Sequence, residues 1–330
     1  MYITIRDITL IIFFSFTLSA VCSALISRFG HRLSLVDKPN ERSSHLRPTP
    51  RGGGIGIWLS FILIGIFIAK NIFLTTIAGI TGLLGMLEDR FTISSKLRLT
   101  VQLSLSLAAI TILKGLPSSI GETALFLFWI IFITGTANYY NFMDGINGIA
   151  GLTGVIGFGL LSIFSSFISR TPDTALISIA LASACLGFLP FNFPHAKVFM
   201  GDVGSIFLGF VFATFVVQLS TTVNTFLCLI MFLCTFYADA TVTIFYRWRK
   251  GENLMKAHRR HLYQYLSNEL RLPHWQVTVL FAIIQITFGT LALLSYKKGL
   301  NWQILVFALF AITFLISYKY IKNIRPSEMN

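Results

Sequence analysis

Charge is scarce in this chain of 330 residues, where Asp, Glu, Lys and Arg together make up 12%, about half the share in a soluble domain, roughly 25%. No polar segment between the apolar runs is long enough to fold as a soluble domain of ordinary size. Cysteines are few and unpaired in pattern. Cys22, Cys185, Cys228 and Cys234 each lie in an apolar run without a CxxC spacing, which excludes a disulfide scaffold or a cysteine metal site and leaves them as packing residues. Internal repeats are missing as well, so the sequence lacks the duplicated halves of many transporters.

What is there instead is hydrophobic: 55% of the chain. Apolar stretches of the length that crosses a hydrocarbon core recur from end to end. They fall near residues 8–29, 53–70, 72–87, 97–114, 122–138, 148–169, 174–190, 204–219, 223–245, 275–296 and 301–321. The expected fold is therefore an all-α polytopic membrane protein of about eleven transmembrane helices, one transmembrane domain over 1–330. Ten is the alternative, because little more than Lys70 and Asn71 separates the second run from the third. A cleaved signal is the competing reading of the first run, but its length and the spans that follow favour a membrane helix.

With these spans, one side of the membrane takes twenty Lys and Arg and the other six: Arg6, Lys70, Lys114, Arg170, Lys297 and Lys298. The positive-inside rule places the rich side in the cytoplasm, the N-terminus outside and the C-terminus inside. Such a face meets membrane lipid headgroups without any chemistry, and it implies no nucleic-acid partner. Orientation does not, however, require Asp37, Glu41, Glu88, Asp89, Asp144, Asp202 and all six histidines to crowd the same side, as they do here.

Four segments on that side carry chemistry. The first loop holds Lys38, Arg42, His45 and Arg51 followed by Gly52-Gly53-Gly54, basic groups beside a glycine-rich helix start where a phosphate is the natural guest. A solvated turn is the plain alternative. Glu88-Asp89 ends the third helix, with Lys96 and Arg98 opening the fourth. Adjacent carboxylates repel unless a cation or a proton lies between them, so the pair is either a Mg²⁺ site or a carboxylate kept as a base. Asn138, Asn141, Asp144 and Asn147 recur every three residues, a spacing that predicts one helical side, and polar groups there need a cavity or a partner. Asn192, Phe199 and Asp202 lie in the fourth segment; Asp202 precedes a helix, either as a metal ligand or as a simple cap. Further on, Asp239 stands within the ninth run, and His258-Arg259-Arg260-His261 offers guanidinium and imidazole groups to phosphate oxygens.

In order and spacing, these segments resemble the bacterial polyprenyl-phosphate N-acetylhexosamine-1-phosphate transferases over nearly the whole chain. The resemblance implies a Mg²⁺-dependent enzyme, Mn²⁺ being the alternative ion. It would move a sugar-1-phosphate from a UDP-N-acetylhexosamine-type donor to undecaprenyl phosphate, with release of UMP, at the bacterial inner membrane. Carried over by position, Asp202 and Asp89 are the metal ligands; Glu88, Asp89, Asp144 and His261 are the catalytic groups. Asn147 and Phe199 line the uracil pocket, and Lys96, Arg98, Arg259 and Arg260 grip phosphates. Glu88 stands where the family usually has Asp, and Asn147 where it often has Asp, which points to a branch such as O-antigen initiation. A homodimer is the expected assembly if there is one. The rival from another class is a transporter or flippase of a lipid-linked anion, but these carboxylates lie near one interface and not at the midplane.

Overall fold

The computed structural model describes residues 4–39, 44, 47–91, 93–254 and 258–324. Its helices run in order α1 (Ile5–Phe29), α2 (Ile55–Ile68), α3 (Ile72–Arg90), α4 (Ser95–Lys114), α5 (Ile120–Phe142) and α6 (Ile149–Phe167), then α7 (Pro172–Asn192), α8 (Asp202–Leu219), α9 (Val223–Arg249), α10 (His274–Lys298) and α11 (Leu300–Asn323). Among the described residues ten of these are long and apolar enough to cross a membrane; α2 is the shorter one. The fold is thus all-α and multi-pass. The expected second span, 53–70, shortens because its last turn widens into a π-helix over Ile64–Ile68 and the chain reverses at once through Lys70, at a φ of 53°.

Polar residues at the ends set where several helices begin. Thr4 and Asp7 form a reciprocal capping box on α1, while Ser94, Ser119 and Thr222 accept the third N–H of α4, α5 and α9. Helix α8 is apolar all round and accordingly central: 89% of its apolar window is buried, against 22% for α1, α4 and α11. It packs on α3 and α5, while α7 packs on α1 and α6.

Two irregularities shape the molecule. Helix α9 is interrupted by a 3₁₀ turn at Met231–Leu233 and resumes at Cys234. The buried Gln285 amide of α10 donates to the Phe232 carbonyl at 2.7 Å and to the Thr153 carbonyl at 3.2 Å, which satisfies backbone that hydrocarbon could not. The first loop forms a two-residue ribbon, β1 (Val36–Asp37) with β2 (Thr49–Pro50). From there the chain adds to the loop before α8: Phe199 N–H donates to the Pro50 carbonyl, and the Gly53 and Gly54 N–H groups donate to Phe199 and Met200. The glycine run therefore joins two loops through main-chain bonds, a correction to its expected role as a phosphate seat.

Candidate active site

The acids gather where the C-terminal end of α3 meets the start of α8. That approach requires small residues: a Cβ on Gly85 would collide with the Asp202 carbonyl, and Gly201, at a φ of +76°, faces the Asp89 carboxylate. Asp89 then closes the first turn of α8. Its Oδ1 accepts the Asp202 N–H at 3.1 Å and its Oδ2 the Val203 N–H at 3.2 Å, an anion against the positive end of a helix dipole. Arg51 locks the junction, donating from Nε to the Asp89 carbonyl at 2.8 Å and from Nη2 to the Glu88 carbonyl at 3.4 Å. Its Nε also lies 3.6 Å from Asp89 Oδ1. With each oxygen accepting an N–H group, Asp89 joins the end of α3 to the start of α8, and Arg51 ties the same junction from the first loop.

Glu88 is the neighbour that remains available. Its Oε1 lies 3.8 Å from Arg98 Nε, its buried Oε2 has no hydrogen-bond partner, and its carboxyl contacts that of Asp202. Asp202 is steadied from the other side, accepting from Asn141 Nδ2 at 2.7 Å, while the same amide reaches Ser205 Oγ at 2.9 Å. Asp144 stands in the turn after α5, with its carboxyl pushed well above the usual carboxylate range, first by burial and then by the charges of Asp202 and Asp89.

Beside these acids opens a cavity of about 610 Å³. Arg98, Asn138, Asn141, His258 and His261 supply its polar side, and Leu99, Leu103 and Ile131 its apolar wall. Asp239 ties down the loop that carries His261: its Oδ1 and Oδ2 accept the N–H groups of Leu262 and Tyr263 at 2.8 and 3.1 Å. His261 Nδ1 lies 3.4 Å from Oδ1 of the same carboxylate. The acid inside the ninth apolar run thus positions the histidine that follows in the next loop. His258 is half-buried, and its imidazole is brought down to about 4 by burial, then by His261, Arg247 and Arg260.

Other expected residues are held by partners within the protein or lie away from this cavity. Asn138 reaches it but donates to Gln102 Oε1 at 2.7 Å and to the Thr134 carbonyl. Because α5 ends at Phe142, the three-residue spacing is lost there, and Asn147 turns to the Pro194 carbonyl at 3.1 Å. Asn192 is buried and staples two loops, accepting from Gly148 N–H at 2.7 Å and donating to the Val198 carbonyl at 2.9 Å; it is not a substrate contact in this arrangement. Phe199 is half-buried against the first loop. Lys38, Lys96 and Arg259 are exposed, while Arg260 pairs with Glu252 and lines a different cavity. Arg42 and His45 lie outside the described residues. Sequence reading missed Gln102, Thr134 and Ser205. Gln102, four residues after Arg98, was the available signal, since a polar group one turn into an apolar helix needs a partner.

The site fits a divalent cation in a particular way. Among the described residues no three acidic, imidazole or thiol groups form a ready cage, but Glu88 and Asp202 bring two carboxylates together with one oxygen unpartnered. Mg²⁺ is commonly held by one or two carboxylates, with water and substrate phosphates completing its shell.

Residues 71–220 match the family described as glycosyl transferase family 4. A decaprenyl-phosphate N-acetylglucosaminephosphotransferase of Mycobacterium leprae is 28% identical over 64% of this chain and 61% of its own length. An undecaprenyl-phosphate alpha-N-acetylglucosaminyl 1-phosphate transferase of Thermotoga maritima is 33% identical over 58% of this chain and 60% of its own length. The Escherichia coli protein of the latter name is 25% identical over 88% of this chain and 85% of its own length. The chain thus spans about 60% of the length of the first two relatives.

Proposed function

We propose, for a chain whose residues 71–220 match glycosyl transferase family 4, that it transfers a sugar-1-phosphate from a UDP-sugar to undecaprenyl phosphate. The donor is an N-acetylhexosamine or deoxy-amino sugar nucleotide. An oxygen of the lipid phosphate bonds to the β-phosphorus, the bond from that phosphorus to the bridging oxygen breaks, and UMP leaves. The product is a lipid-linked sugar diphosphate that starts O-antigen or another envelope polysaccharide. In this reading the acidic end of the bundle faces the cytoplasm of a bacterial inner membrane.

One observation carries the proposal: a Glu88–Asp202 pair with an unpartnered buried oxygen adjoins a cavity that is basic and imidazole-lined on one side and apolar on the other. The cavity's apolar wall shares Ile131 and Gly135 with a groove of about 450 Å³ beside the interruption of α9, suited to an isoprenoid chain whose phosphate reaches Arg98. Glu88 and Asp202 would hold Mg²⁺, which when bound supplies charge neutralisation between two phosphate-bearing reactants. Arg98 supplies positive charge from the protein against the same anions, Asn141 keeps Asp202 aimed, and Asp239 anchors the loop that brings His261 to the cavity. Transfer between anions needs this positioning and neutralisation more than covalent chemistry.

The test is a donor panel. Purified protein in detergent is incubated with undecaprenyl phosphate, Mg²⁺ and individual UDP-N-acetylhexosamines labelled in the sugar, and label is followed into the lipid phase. Lipid-phase label with one donor supports the reading and identifies the sugar. A folded protein that transfers no label from any of them overturns it.

A further inference from the structure

A second polar cavity, of about 330 Å³, lies between the ends of α9 and α11 at the same end of the bundle as the acids, and the proposed reaction makes no use of it. Five cationic side chains line it: Arg247, Lys250, Arg260, Lys319 and Lys322. No carboxylate is in its lining among the described residues. Of the acids around it, Glu252 is shared between Arg247, 3.2 Å away, and Arg260, and Asp239 accepts from Thr243 at 3.1 Å. Two guanidinium groups and three ammonium groups thus face one small space, more cations than the three carboxylates around it, Glu252, Asp239 and Glu269.

The cluster is also organised. Tyr246 and Tyr318 stack at 5.6 Å with their planes within 4° of parallel, joining the two helices at the cavity. Lys322 Nζ sits 4.3 Å over the Tyr265 ring and donates to the Arg260 carbonyl at 3.0 Å, while Arg247 Nη2 donates to the Asn253 carbonyl at 2.7 Å. These contacts hold cations close together that would otherwise separate by repulsion. Lys250 and Lys319 are exposed at the rim. An anion carrying several oxygens accepts from such a cluster, and phosphate oxygens suit guanidinium and ammonium donors at once.

We propose that this cavity is a binding site for a phosphate group, separate from the transferase cavity. Its position one turn beyond the apolar groove residue Phe314 puts it at headgroup depth, where the phosphate belongs to an anionic phospholipid or to a free phosphate in the aqueous phase.

Native mass spectrometry of the full chain, titrated with phosphatidylglycerol or phosphatidylcholine, reads the lipid source. Thermal unfolding with added inorganic phosphate reads the free source. The variants are Lys250→Gln/Lys319→Gln and, as charge-conserving control, Lys250→Arg/Lys319→Arg. The wild type and the arginine variant should retain phosphatidylglycerol in preference to phosphatidylcholine, and the glutamine variant should bind it about 30-fold more weakly, each lysine contributing roughly fivefold at a phosphate surface. If inorganic phosphate alone protects the protein and the glutamine variant loses that protection, the site stands with a soluble ligand. If neither ligand distinguishes the glutamine variant from wild type, with unfolding temperatures in buffer unchanged, the cavity is not a phosphate site.

Discussion

At the scale of the residue, two adjacent carboxylates divide their work. Asp89 is held by two N–H groups and its neighbour's oxygen is not. Asp89→Asn leaves one cap N–H of α8 facing an amide donor, at a cost of about 1–3 kcal/mol, read as a lower unfolding temperature in detergent. Glu88→Gln removes charge without removing a structural bond, so transfer should fall by at least about 100-fold with unfolding little changed; an equal loss of stability in both variants would contradict the division. Asp144 gives a pH signature. Its folded-state pKa is raised, so its contribution to stability is complete below the unfolded value, near 3.9, and is lost as pH rises through the folded value. Asp144→Asn should therefore raise the unfolding temperature at alkaline pH relative to wild type. His258 has the opposite sign: lowered to about 4, it contributes stability above its unfolded value, near 6.5, that fades as pH falls toward 4. His258→Gln should flatten the wild-type loss of stability across that window, measured as unfolding temperature against pH.

At the scale of the element, the apolar runs were legible because membrane helices announce themselves by length and hydropathy, and boundaries such as Ser94 and Ser119 carry their own caps. The break in α9 was not. Met231, Phe232 and Leu233 are as apolar as the turns around them, and what permits the break is an amide on another helix, Gln285, remote in sequence. Gln285→Leu leaves the Phe232 and Thr153 carbonyls without that donor and should destabilise the protein by about 2 kcal/mol, seen in the same unfolding assay. The loop chemistry was half legible. Glu88, Asp202 and Asn141 could be picked out as polar groups at an apolar boundary, but that Arg51 and Asn192 serve loop and helix junctions depends on main-chain partners 38 and 44 residues away. Local sequence says that such groups need partners without saying which.

At the scale of the whole molecule, the central and nearly all-buried α8 carries Asp202 at its first residue, and α3, α5 and the 258–261 loop bring Glu88, Asn141 and His261 to that end. One end of the bundle concentrates acids, arginines and imidazoles while an apolar groove leads away between helices. That arrangement suits a reaction whose one substrate is a water-soluble nucleotide sugar and whose other is a membrane lipid. Whether the lipid phosphate attacks the β-phosphorus or the anomeric carbon of the sugar decides the chemistry. The direct measurement is the identity of the nucleotide released when wild type and Asp202→Asn are each given Mg²⁺, undecaprenyl phosphate and the accepted UDP-sugar. The expected result is UMP from the wild type, in equal amount to a lipid-linked sugar diphosphate, and at least a 100-fold slower release from the variant. Release of UDP with a lipid-linked sugar monophosphate, or UMP formation unaffected by the loss of Asp202, would contradict it.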